Sequence, residues 1–357
     1  MSDGGLRAAV VGCRGIGRMH AAAIHDSREM TLVAACDVAG EHAREMAAKH
    51  PGIAAFTDLG QMLREVEPDI VAVCTPTDSH AALTLQAIEA GVKGVCCEKP
   101  MATSMADGRA MVEACGRKGA QLIVNHQRRT YPPFIKMGEM ISGGAIGDVH
   151  LLRGTCAGDV LSDGTHLVDS ILWLAGDQDA KWVFGAVYRP PPDPAAPRGM
   201  GYDASGGWRY GHPIETGAFG TWEFKNGLRA EILCGDLRFP GRGYHDIEAI
   251  GAKGRLWRAG DQADPAVLIQ AAGSDGWQPV PVPASDGVIA ANYDLLARNM
   301  RAGDGDHPLS GRKALRGFEI VMAVYESARL RARIELPLNQ DRFPLELMIA
   351  EGKTALL

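Results

Sequence analysis

The sequence lacks the features that mark several large classes of protein. Basic residues do not exceed acidic ones, since 37 Lys and Arg stand against 43 Asp and Glu, and the formal charge is −6. No basic stripe runs along any segment, so the sequence does not favour a nucleic acid partner. No uninterrupted apolar run reaches the roughly 20 residues that a membrane-spanning helix needs. We therefore expect a protein that binds neither nucleic acid nor a membrane.

Metal-binding cysteine pairs and a targeting signal are also missing. The eight cysteines fall mostly inside apolar runs, and no two of them form a Cys-x-x-Cys pair. This pattern predicts buried, reduced thiols and no metal site. The first residues, Met1 to Gly5, lack the charged and then apolar pattern of a secretory signal. We expect a cytoplasmic protein.

The length of 357 residues predicts two domains. Over residues 1–124, apolar runs alternate with helical patterns, as in a parallel sheet covered by helices on both faces. Residues 125–357 contain several hairpin-like runs of alternating apolar residues, followed by two amphipathic helices. We predict an α/β protein, with an N-terminal Rossmann doubly wound parallel sheet over residues 1–124. The C-terminal domain, residues 125–357, is predicted to be α+β, with a large open, mainly antiparallel sheet whose strands follow the sequence order.

One face of that predicted sheet has no helix to cover it. An open antiparallel sheet commonly hides its second face against a partner subunit. We therefore expect a homo-oligomer, a dimer or tetramer, formed through the C-terminal sheet.

A glycine-rich turn follows the first apolar run. Leu6 to Val11 leads into Gly-Cys-Arg-Gly-Ile-Gly, and a helix follows. Glycines let the backbone pass close to a pyrophosphate, and a helix N-terminus offers unpaired N–H groups and a partial positive charge. The spacing departs from Gly-x-Gly-x-x-Gly, because an arginine stands where the middle glycine belongs. The turn predicts a dinucleotide site at Gly12, Arg14, Gly15, Ile16 and Gly17.

A carboxylate ends the second apolar run. Met30 to Cys36 is followed by Asp37, about 20 residues past the glycine turn. A carboxylate in this place accepts hydrogen bonds from the adenosine ribose hydroxyls and repels a 2′-phosphate. We therefore expect NAD rather than NADP as the cofactor. A compatible alternative is that Asp37 caps the helix predicted over residues 41–50.

Polar residues also end the next two predicted strands. The run from Asp69 to Cys74 is followed by Thr75-Pro76, and the run from Val92 to Cys97 is followed by Glu98-Lys99-Pro100. Ligands of doubly wound folds sit outside the carboxyl ends of the strands, so these residues point at a bound molecule. The alternative is an ordinary solvated charge pair at a strand end.

These motifs together resemble the Gfo/Idh/MocA family, the group of glucose–fructose oxidoreductase and inositol dehydrogenase. The resemblance covers most of the chain. It rests on the glycine turn, Asp37, the segment Cys74 to His80, Glu98-Lys99-Pro100 and a later Gly164 to Asp169. In that family the lysine lies beside the nicotinamide and the reacting hydroxyl, and the histidine of the later motif is the usual proton acceptor.

The resemblance implies those two roles for Lys99 and His166. It also implies a cofactor-side place for His80, next to Thr75, Pro76 and Glu98.

His166 lies on a predicted helix that begins at Thr165. Apolar positions from Leu167 onward fit one helix face, and His166 and Asp169 are three residues apart on its surface. In the first turn, the positive end of the helix dipole lowers the pKa of an imidazole and keeps it a neutral base. A lone helical histidine is more often structural, but its combination with Glu98-Lys99-Pro100 favours the catalytic role.

Substrate contacts are predicted in three segments. The polar crossover after residue 124 faces the active cleft in the resembled family, although a solvated linker is an equal alternative. Many family members place an aspartate four residues before the histidine, where this chain has Ser162, and Asp163 is the neighbouring candidate. The proline- and glycine-rich loop over residues 189–213 offers an aromatic face for a sugar and a cation for an acidic group, or else packs as a surface loop. The predicted substrate shell is Arg129, Tyr131, Asp163, Trp208, Arg209 and His212.

The sequence thus predicts an NAD-dependent oxidoreductase for a sugar, a sugar derivative or a cyclitol. His166 accepts the hydroxyl proton while hydride leaves the carbon for nicotinamide, and Lys99 holds and polarises the oxygen. An alternative is an NAD-dependent glycoside hydrolase, which oxidises the sugar transiently, eliminates the aglycone and returns the hydride. A third possibility, a dinucleotide-sensing binding protein, predicts NAD binding without turnover.

Overall fold

The structure is a computed structural model that describes residues 5–190, 198–199, 202–203, 207–238, 244–284 and 287–354. Of the loop predicted over residues 189–213, positions 191–197, 200–201 and 204–206 lie outside the described residues. Over the described ranges, none of the helices combines the length and apolar character required to cross a bilayer.

Strands and helices alternate through the first 124 residues. The strands are β1 (Leu6–Val11), β2 (Met30–Cys36), β3 (Ala54–Phe56), β4 (Ile70–Val73), β5 (Gly94–Cys97) and β6 (Gln121–Val124). The helices are α1 (Ile16–His25), α2 (Gly40–Lys49), α3 (Leu59–Val66), α4 (His80–Glu89) and α5 (Met105–Lys118). The six strands pair in parallel in the order β3-β2-β1-β4-β5-β6. The predicted doubly wound sheet is confirmed.

The apolar runs form these strands because both faces of the sheet are covered. Every residue of β4 and β5 is buried, as expected for parallel strands between two helix layers. Helix α5 begins where the sequence indicates, since the Ser104 hydroxyl accepts the N–H of Asp107 at 3.1 Å. Strand β3 and helix α3 were not predicted, because three half-exposed residues at a sheet edge give almost no apolar signal.

The remaining elements run from residue 132 to residue 350. The helices are α6 (Pro132–Ser142), α7 (Thr165–Leu174), α8 (Val288–Ala302), α9 (Gly311–Leu330) and α10 (Pro344–Ala350). The long strands are β7 (Val149–Cys156), β8 (Ala180–Tyr188), β13 (Gly217–Phe224), β14 (Arg229–Gly235), β15 (His245–Gly251), β16 (Gly254–Arg258) and β17 (Val267–Ala271). The two-residue strands are β9 (Arg198–Gly199), β10 (Tyr202–Asp203), β11 (Trp208–Arg209), β12 (His212–Pro213), β18 (Gln278–Pro279) and β19 (Ile334–Glu335).

The large sheet is mixed and mainly antiparallel. Its nine strands follow the order β18-β17-β16-β15-β7-β14-β13-β8-β19. The expected sequence order is wrong, because β7 lies between β15 and β14 and pairs in parallel with β14. Local hairpins set the neighbours on each side of β7, but a long-range pairing of this kind leaves no local sequence signal. A tight turn at Asn226-Gly227 joins β13 and β14, as expected for one of the predicted hairpins, with Gly227 at a φ of +87°.

The chain divides into two compact units. Unit 1 comprises residues Met1–Gln127 and Asp286–Leu315, and unit 2 comprises Arg128–Ser285 and Arg316–Leu357. The sequence boundary placed everything after residue 124 in the second domain, and the structure differs over residues 286–315. Helix α8 contributes Tyr293, Leu296 and Ala297 to the apolar core around β1 and β4. An amphipathic pattern shows that a helix has a buried face, but it does not show which sheet covers that face.

Candidate active site

The glycine turn between β1 and α1 is a close-packed cradle. A Cβ at Gly12, where φ is +89°, would lie 2.6 Å from the carbonyl oxygen of Cys74, and a Cβ at Gly17 would lie 1.9 Å from that of Gly12. Only glycine fits at these two positions. At Gly15 a Cβ would meet no heavy atom within 4 Å. The space on that side, at the N-terminus of α1, fits the pyrophosphate of a dinucleotide.

Asp37 is fixed next to this turn. Its carboxylate accepts the main-chain N–H of Cys13 and that of Ala39, both at 2.9 Å. Helix α2 has Ala39 as its N-cap and no side-chain capping bond, so the capping alternative does not apply. A carboxylate offers about four acceptor sites, which leaves capacity for ribose hydroxyls. The placement suits the predicted role at the adenosine ribose.

His80 joins the turns after β4 and β5. Its ring nitrogens lie 2.9 Å from the carbonyl oxygens of Thr75 and Pro100. The ring is buried, and burial lowers the pKa of His80. His80 thus holds the two turns together, and its predicted contact with the cofactor stays a prediction. Thr75 and Pro76 lie on the turn that His80 holds.

Glu98, which was predicted to lie at the cofactor, is part of a buried polar network in unit 1. It is 5% exposed, and its Oε1 lies 2.9 Å from Nε2 of His20, while Oε2 accepts the main-chain N–H of Lys99 at 3.2 Å. Burial alone would raise the pKa of Glu98, but hydrogen bonds and charge from His20, Lys99 and Asn125 lower it to about 2. Glu98 is a buried anion that holds its neighbours, and its predicted place at the cofactor stays a prediction.

In unit 2, the helical segment that carries His166 begins before α7. A π-helical turn over Val160–Gly164 continues directly into α7. Side chains accept the first three main-chain N–H groups of this segment. Glu215 accepts the N–H of Val160 at 2.6 Å, and Tyr325 accepts the N–H of Leu161 at 3.2 Å. Asp159 accepts the N–H of Ser162 at 2.7 Å. The positive helix end is thus more than one turn ahead of His166 and is capped. The expectation that this dipole end sets the protonation of His166 is wrong, because the effect falls off within the first turn.

The capping carboxylate of Glu215 is itself unusual. It is 1% exposed, and its other oxygen accepts the hydroxyl hydrogen of Tyr325 at 2.7 Å. Burial and the charge of Asp159 raise the pKa of Glu215 to about 8. The start of the His166 segment therefore holds an acid that titrates near neutral pH.

Asp163 and Arg209 neutralise each other. Arg209 donates to Asp163 and, at 3.3 Å, to Asp159, while the hydroxyl of Tyr244 donates to the other oxygen of Asp163. Burial alone would lower the pKa of Arg209, but the charges of Asp163 and Asp159 raise it. In this structure both charges serve the internal pair, and the predicted substrate contacts of Asp163 and Arg209 stay predictions. Tyr244 is 41% exposed and gave no sequence signal.

Ser162 faces His212. The Ser162 hydroxyl lies 3.3 Å from Nε2 of His212, whose Nδ1 lies 3.0 Å from the carbonyl oxygen of Pro213. His212 is completely buried, so its predicted place in the substrate shell is corrected to support for Ser162. Trp208 is 47% exposed and keeps a surface on which a sugar can stack.

A histidine that sequence reasoning missed packs against His166. The ring of His245 lies 5.9 Å from that of His166, centroid to centroid, and nearly perpendicular to it. Its Nδ1 lies 2.7 Å from Nη2 of Arg128, and its Nε2 lies 2.9 Å from the carbonyl oxygen of Asp163. A guanidinium only donates and a carbonyl only accepts, so these two contacts fit a proton on Nε2 and an accepting Nδ1. Arg128 is held in turn by both oxygens of Asp261.

Arg129 is buried in an ion pair. Its Nε and Nη2 donate to the Asp169 carboxylate at 2.8 and 2.9 Å, and its Nη1 donates to Asp177 at 2.8 Å. Burial alone would lower the pKa of Arg129, but Asp169 and Asp177 raise it. Arg129 thus forms a structural link with α7, and its predicted contact with substrate stays a prediction. The half-buried Tyr131 packs near Phe134, with ring centroids 6.4 Å apart, and its role at the substrate stays a prediction.

Across the described residues, no three His, Cys, Asp or Glu side chains are arranged to hold a metal ion. The glycine cradle, the strand-end carboxylate and the lysine after β5 define a dinucleotide-dependent oxidoreductase. Residues 6–126 match the family described as an oxidoreductase family with an NAD-binding Rossmann fold. This match confirms the predicted resemblance to the Gfo/Idh/MocA family of oxidoreductases.

Similar proteins extend this result beyond the first unit. The chain is 28% identical to D-apiose dehydrogenase of Paraburkholderia graminis, over 97% of this chain and 94% of that protein. It is 26% identical to D-glucoside 3-dehydrogenase of Escherichia coli K12, over 64% of this chain and 69% of that protein. The crystal structure of the WlbA dehydrogenase from Bordetella pertussis in complex with NADH and UDP-GlcNAcA shares the fold, with a TM-score of 0.73, 24% identity, and coverage of 94% of this chain and 100% of that one.

The cradle predicts different outcomes for two glycine substitutions in unit 1. Gly17→Ala would place a Cβ 1.9 Å from a carbonyl oxygen, so we expect destabilisation and loss of NAD binding. Gly116→Ala is the control: Gly116 is exposed in α5 with no heavy atom within 4 Å of a Cβ. It should leave NAD binding intact and raise stability by about 0.4–1 kcal/mol. Thermal unfolding measures the stability of each variant, and NAD titration measures its affinity for NAD. Normal NAD binding by Gly17→Ala would contradict the close packing.

The buried pair predicts that Arg129 acts on stability rather than on substrate binding. Arg129→Met leaves the buried Asp169 carboxylate and the half-buried Asp177 carboxylate without this cation and should cost about 3–5 kcal/mol. Arg153→Met is the control, because Arg153 forms a half-exposed pair with Glu248 that is worth at most about 1 kcal/mol. Urea unfolding gives both values. A large rise in the substrate KM of Arg129→Met, without loss of stability, would show that Arg129 contacts substrate instead.

Proposed function

We propose that this protein oxidises a hydroxyl group of a sugar, a sugar derivative or a cyclitol, with NAD as the oxidant and with Lys99 and His166 acting on one oxygen. The observation that carries the proposal is the placement of Lys99 directly after β5, at the sheet edge where Asp37 and the glycine cradle also lie. The names of the similar dehydrogenases support a carbohydrate substrate.

The residues that would hold NAD are all in unit 1. The cradle at Gly12, Gly15 and Gly17 suits the pyrophosphate, and Asp37 suits an unphosphorylated ribose because its charge repels a 2′-phosphate. When bound, NAD supplies a ring that accepts hydride from the substrate carbon.

Lys99 and His166 have separate roles in the proposed reaction. The Lys99 ammonium donates to the hydroxyl oxygen and stabilises the negative charge that develops there as the carbon is oxidised. His166 accepts the hydroxyl proton, and positioned acid–base help of this kind typically contributes about 10²–10⁴-fold. The ring of His245, whose Nδ1 accepts from Arg128, packs beside His166.

The charges of unit 2 favour a neutral polyhydroxy substrate. Arg209 and Asp163 pair with each other, so neither sign dominates next to the His166 segment. The exposed face of Trp208 and the partly exposed Tyr244 suit the mixed apolar and hydroxyl surface of a sugar or cyclitol. The eight cysteines are free thiols, which fits a cytoplasmic location.

Lys99→Ala and His166→Ala should each lower kcat by about 10²-fold or more, with little change in NAD affinity. The matched controls are Lys93→Ala and His150→Ala, which change exposed residues of the same types in the same units. A polyol panel read by NADH absorbance measures turnover, and NAD titration measures affinity. Turnover like wild type in either variant removes that residue from the mechanism.

The same assay separates the alternative reactions. Net NADH in proportion to oxidised sugar supports the dehydrogenase. Cleavage of an aryl glycoside without net NADH supports the NAD-dependent glycoside hydrolase. NAD binding with no turnover on any polyol or glycoside supports a binding protein.

We also propose that the large sheet forms a homo-oligomer through its outer face. The inner face packs on α9, since a Cβ at Gly185 or Gly220 would lie 2.9 Å from Val324. Side chains alternate along a strand, so Phe184 points to the outer face, where it is 42% exposed and Leu233 is 37% exposed. Light scattering should give a dimer or tetramer, and the double variant Phe184→Asp/Leu233→Asp should shift it toward monomer. A monomeric wild-type protein contradicts this arrangement.

A further inference from the structure

A continuous chain of buried polar side chains lies under Lys99 in unit 1. His20 is fully buried on α1, and its two ring nitrogens lie 2.9 Å from Oε1 of Glu98 and 2.6 Å from the hydroxyl oxygen of Tyr293. Asn125 donates its amide to the same Oε1, and its own oxygen accepts the amide of Asn292. Three separate parts of the chain therefore meet at one carboxylate.

His20 and Glu98 form a buried pair, with Nε2 of His20 2.9 Å from Oε1 of Glu98. Burial alone would lower the pKa of His20, but Cys74 and Tyr293 raise it. The ring donates to Glu98 and shares a hydrogen bond with the Tyr293 hydroxyl, so both ring nitrogens have partners. A buried carboxylate that loses its cation is strongly unfavourable, so His20 keeps Glu98 ionised and in place.

The fixed carboxylate of Glu98 in turn holds the backbone of Lys99. Its second oxygen accepts the main-chain N–H of Lys99 at 3.2 Å, and the carbonyl of the following Pro100 lies 2.9 Å from the His80 ring. The backbone on both sides of Lys99 is thus held by buried side chains. The titratable neighbours of Glu98 are His20, Cys74, His80, Cys97 and Lys99.

We infer that the buried His20–Glu98 ion pair is a positioning device for Lys99, so that His20 controls turnover without touching substrate or cofactor. The inference rests on the proposed function for its kinetic consequence. Its structural consequence does not: without His20, Glu98 takes Lys99 as its cation and draws the ammonium out of position.

The test uses His20→Gln, Glu98→Gln and the double variant, with His307→Gln as control. His307 is equally buried in unit 1 but lies outside this network. His20→Gln should lower kcat on the order of tenfold to hundredfold, with the KM for NAD nearly unchanged, because small misplacements of catalytic groups carry costs of this size. In a Lys99→Ala background the same substitution should cause no further loss of kcat. His307→Gln should leave kcat unchanged.

Two readouts do not depend on turnover. Without cofactor, His20→Gln should lower the thermal stability, because the buried Glu98 carboxylate loses its histidine partner. In a Glu98→Gln background the same substitution should cost much less stability, which measures the coupling between the two residues. Reductive methylation of Lys99, followed by mass spectrometry, should be severalfold slower in His20→Gln than in wild type or His307→Gln.

Each result decides the inference. An unchanged kcat and methylation rate in His20→Gln overturns it. An equal fold-loss of kcat in the Lys99→Ala background overturns it as well, because the effect then does not pass through Lys99. If wild-type protein oxidises no polyol, the proposed function fails, while the methylation rate and the stability coupling between His20 and Glu98 still decide whether His20 positions Lys99.

Discussion

Parallel strands end at one edge of their sheet, and this constraint places the whole cofactor side of the protein. Strands β1, β2, β4 and β5 are neighbours in the first sheet, and each ends in a chemically distinct segment. The ends carry the glycine cradle, the Asp37 carboxylate, the Thr75-Pro76 turn and the Glu98-Lys99 pair. Residues that are far apart in the chain thus share one edge because the backbone hydrogen bonds of the sheet require it. Without that register, none of these weak motifs has a function.

The burial of charged side chains is the second constraint on this structure, and it shows what several predicted site residues contact. A buried ion must be paired, so a charged side chain in the interior is occupied by its partner. Glu98 is paired with His20, Arg129 with Asp169, and Asp163 with Arg209. The Glu98 pair holds the segment that carries Lys99 in unit 1, and the Arg129 pair holds the helix that carries His166 in unit 2. The ligand contacts predicted for these charged residues stay predictions.

The sequence predicted the first sheet well, because strands buried on both faces give continuous apolar runs and each ends in a recognisable turn. It also located α7 and the hairpin turn at Asn226-Gly227. It did not find the parallel partner of β7 or the packing of α8 on unit 1, since both depend on long-range contacts. His20, Tyr244 and His245 were missed for the same reason: a polar residue inside an apolar element carries no sign of its partner. Arg129 illustrates the reverse error, in which a polar segment suggested exposure and the folded chain buried the cation.

The central claim is that Lys99 and His166 act on the same hydroxyl oxygen. A crystal structure of the protein with NAD and a bound polyol tests it most directly. The account predicts Nζ of Lys99 and a ring nitrogen of His166 each about 2.6–3.2 Å from one substrate oxygen, with the carbon of that oxygen facing the nicotinamide. A substrate oxygen that contacts only one of the two side chains, or a His166 ring turned away from the substrate, would contradict it.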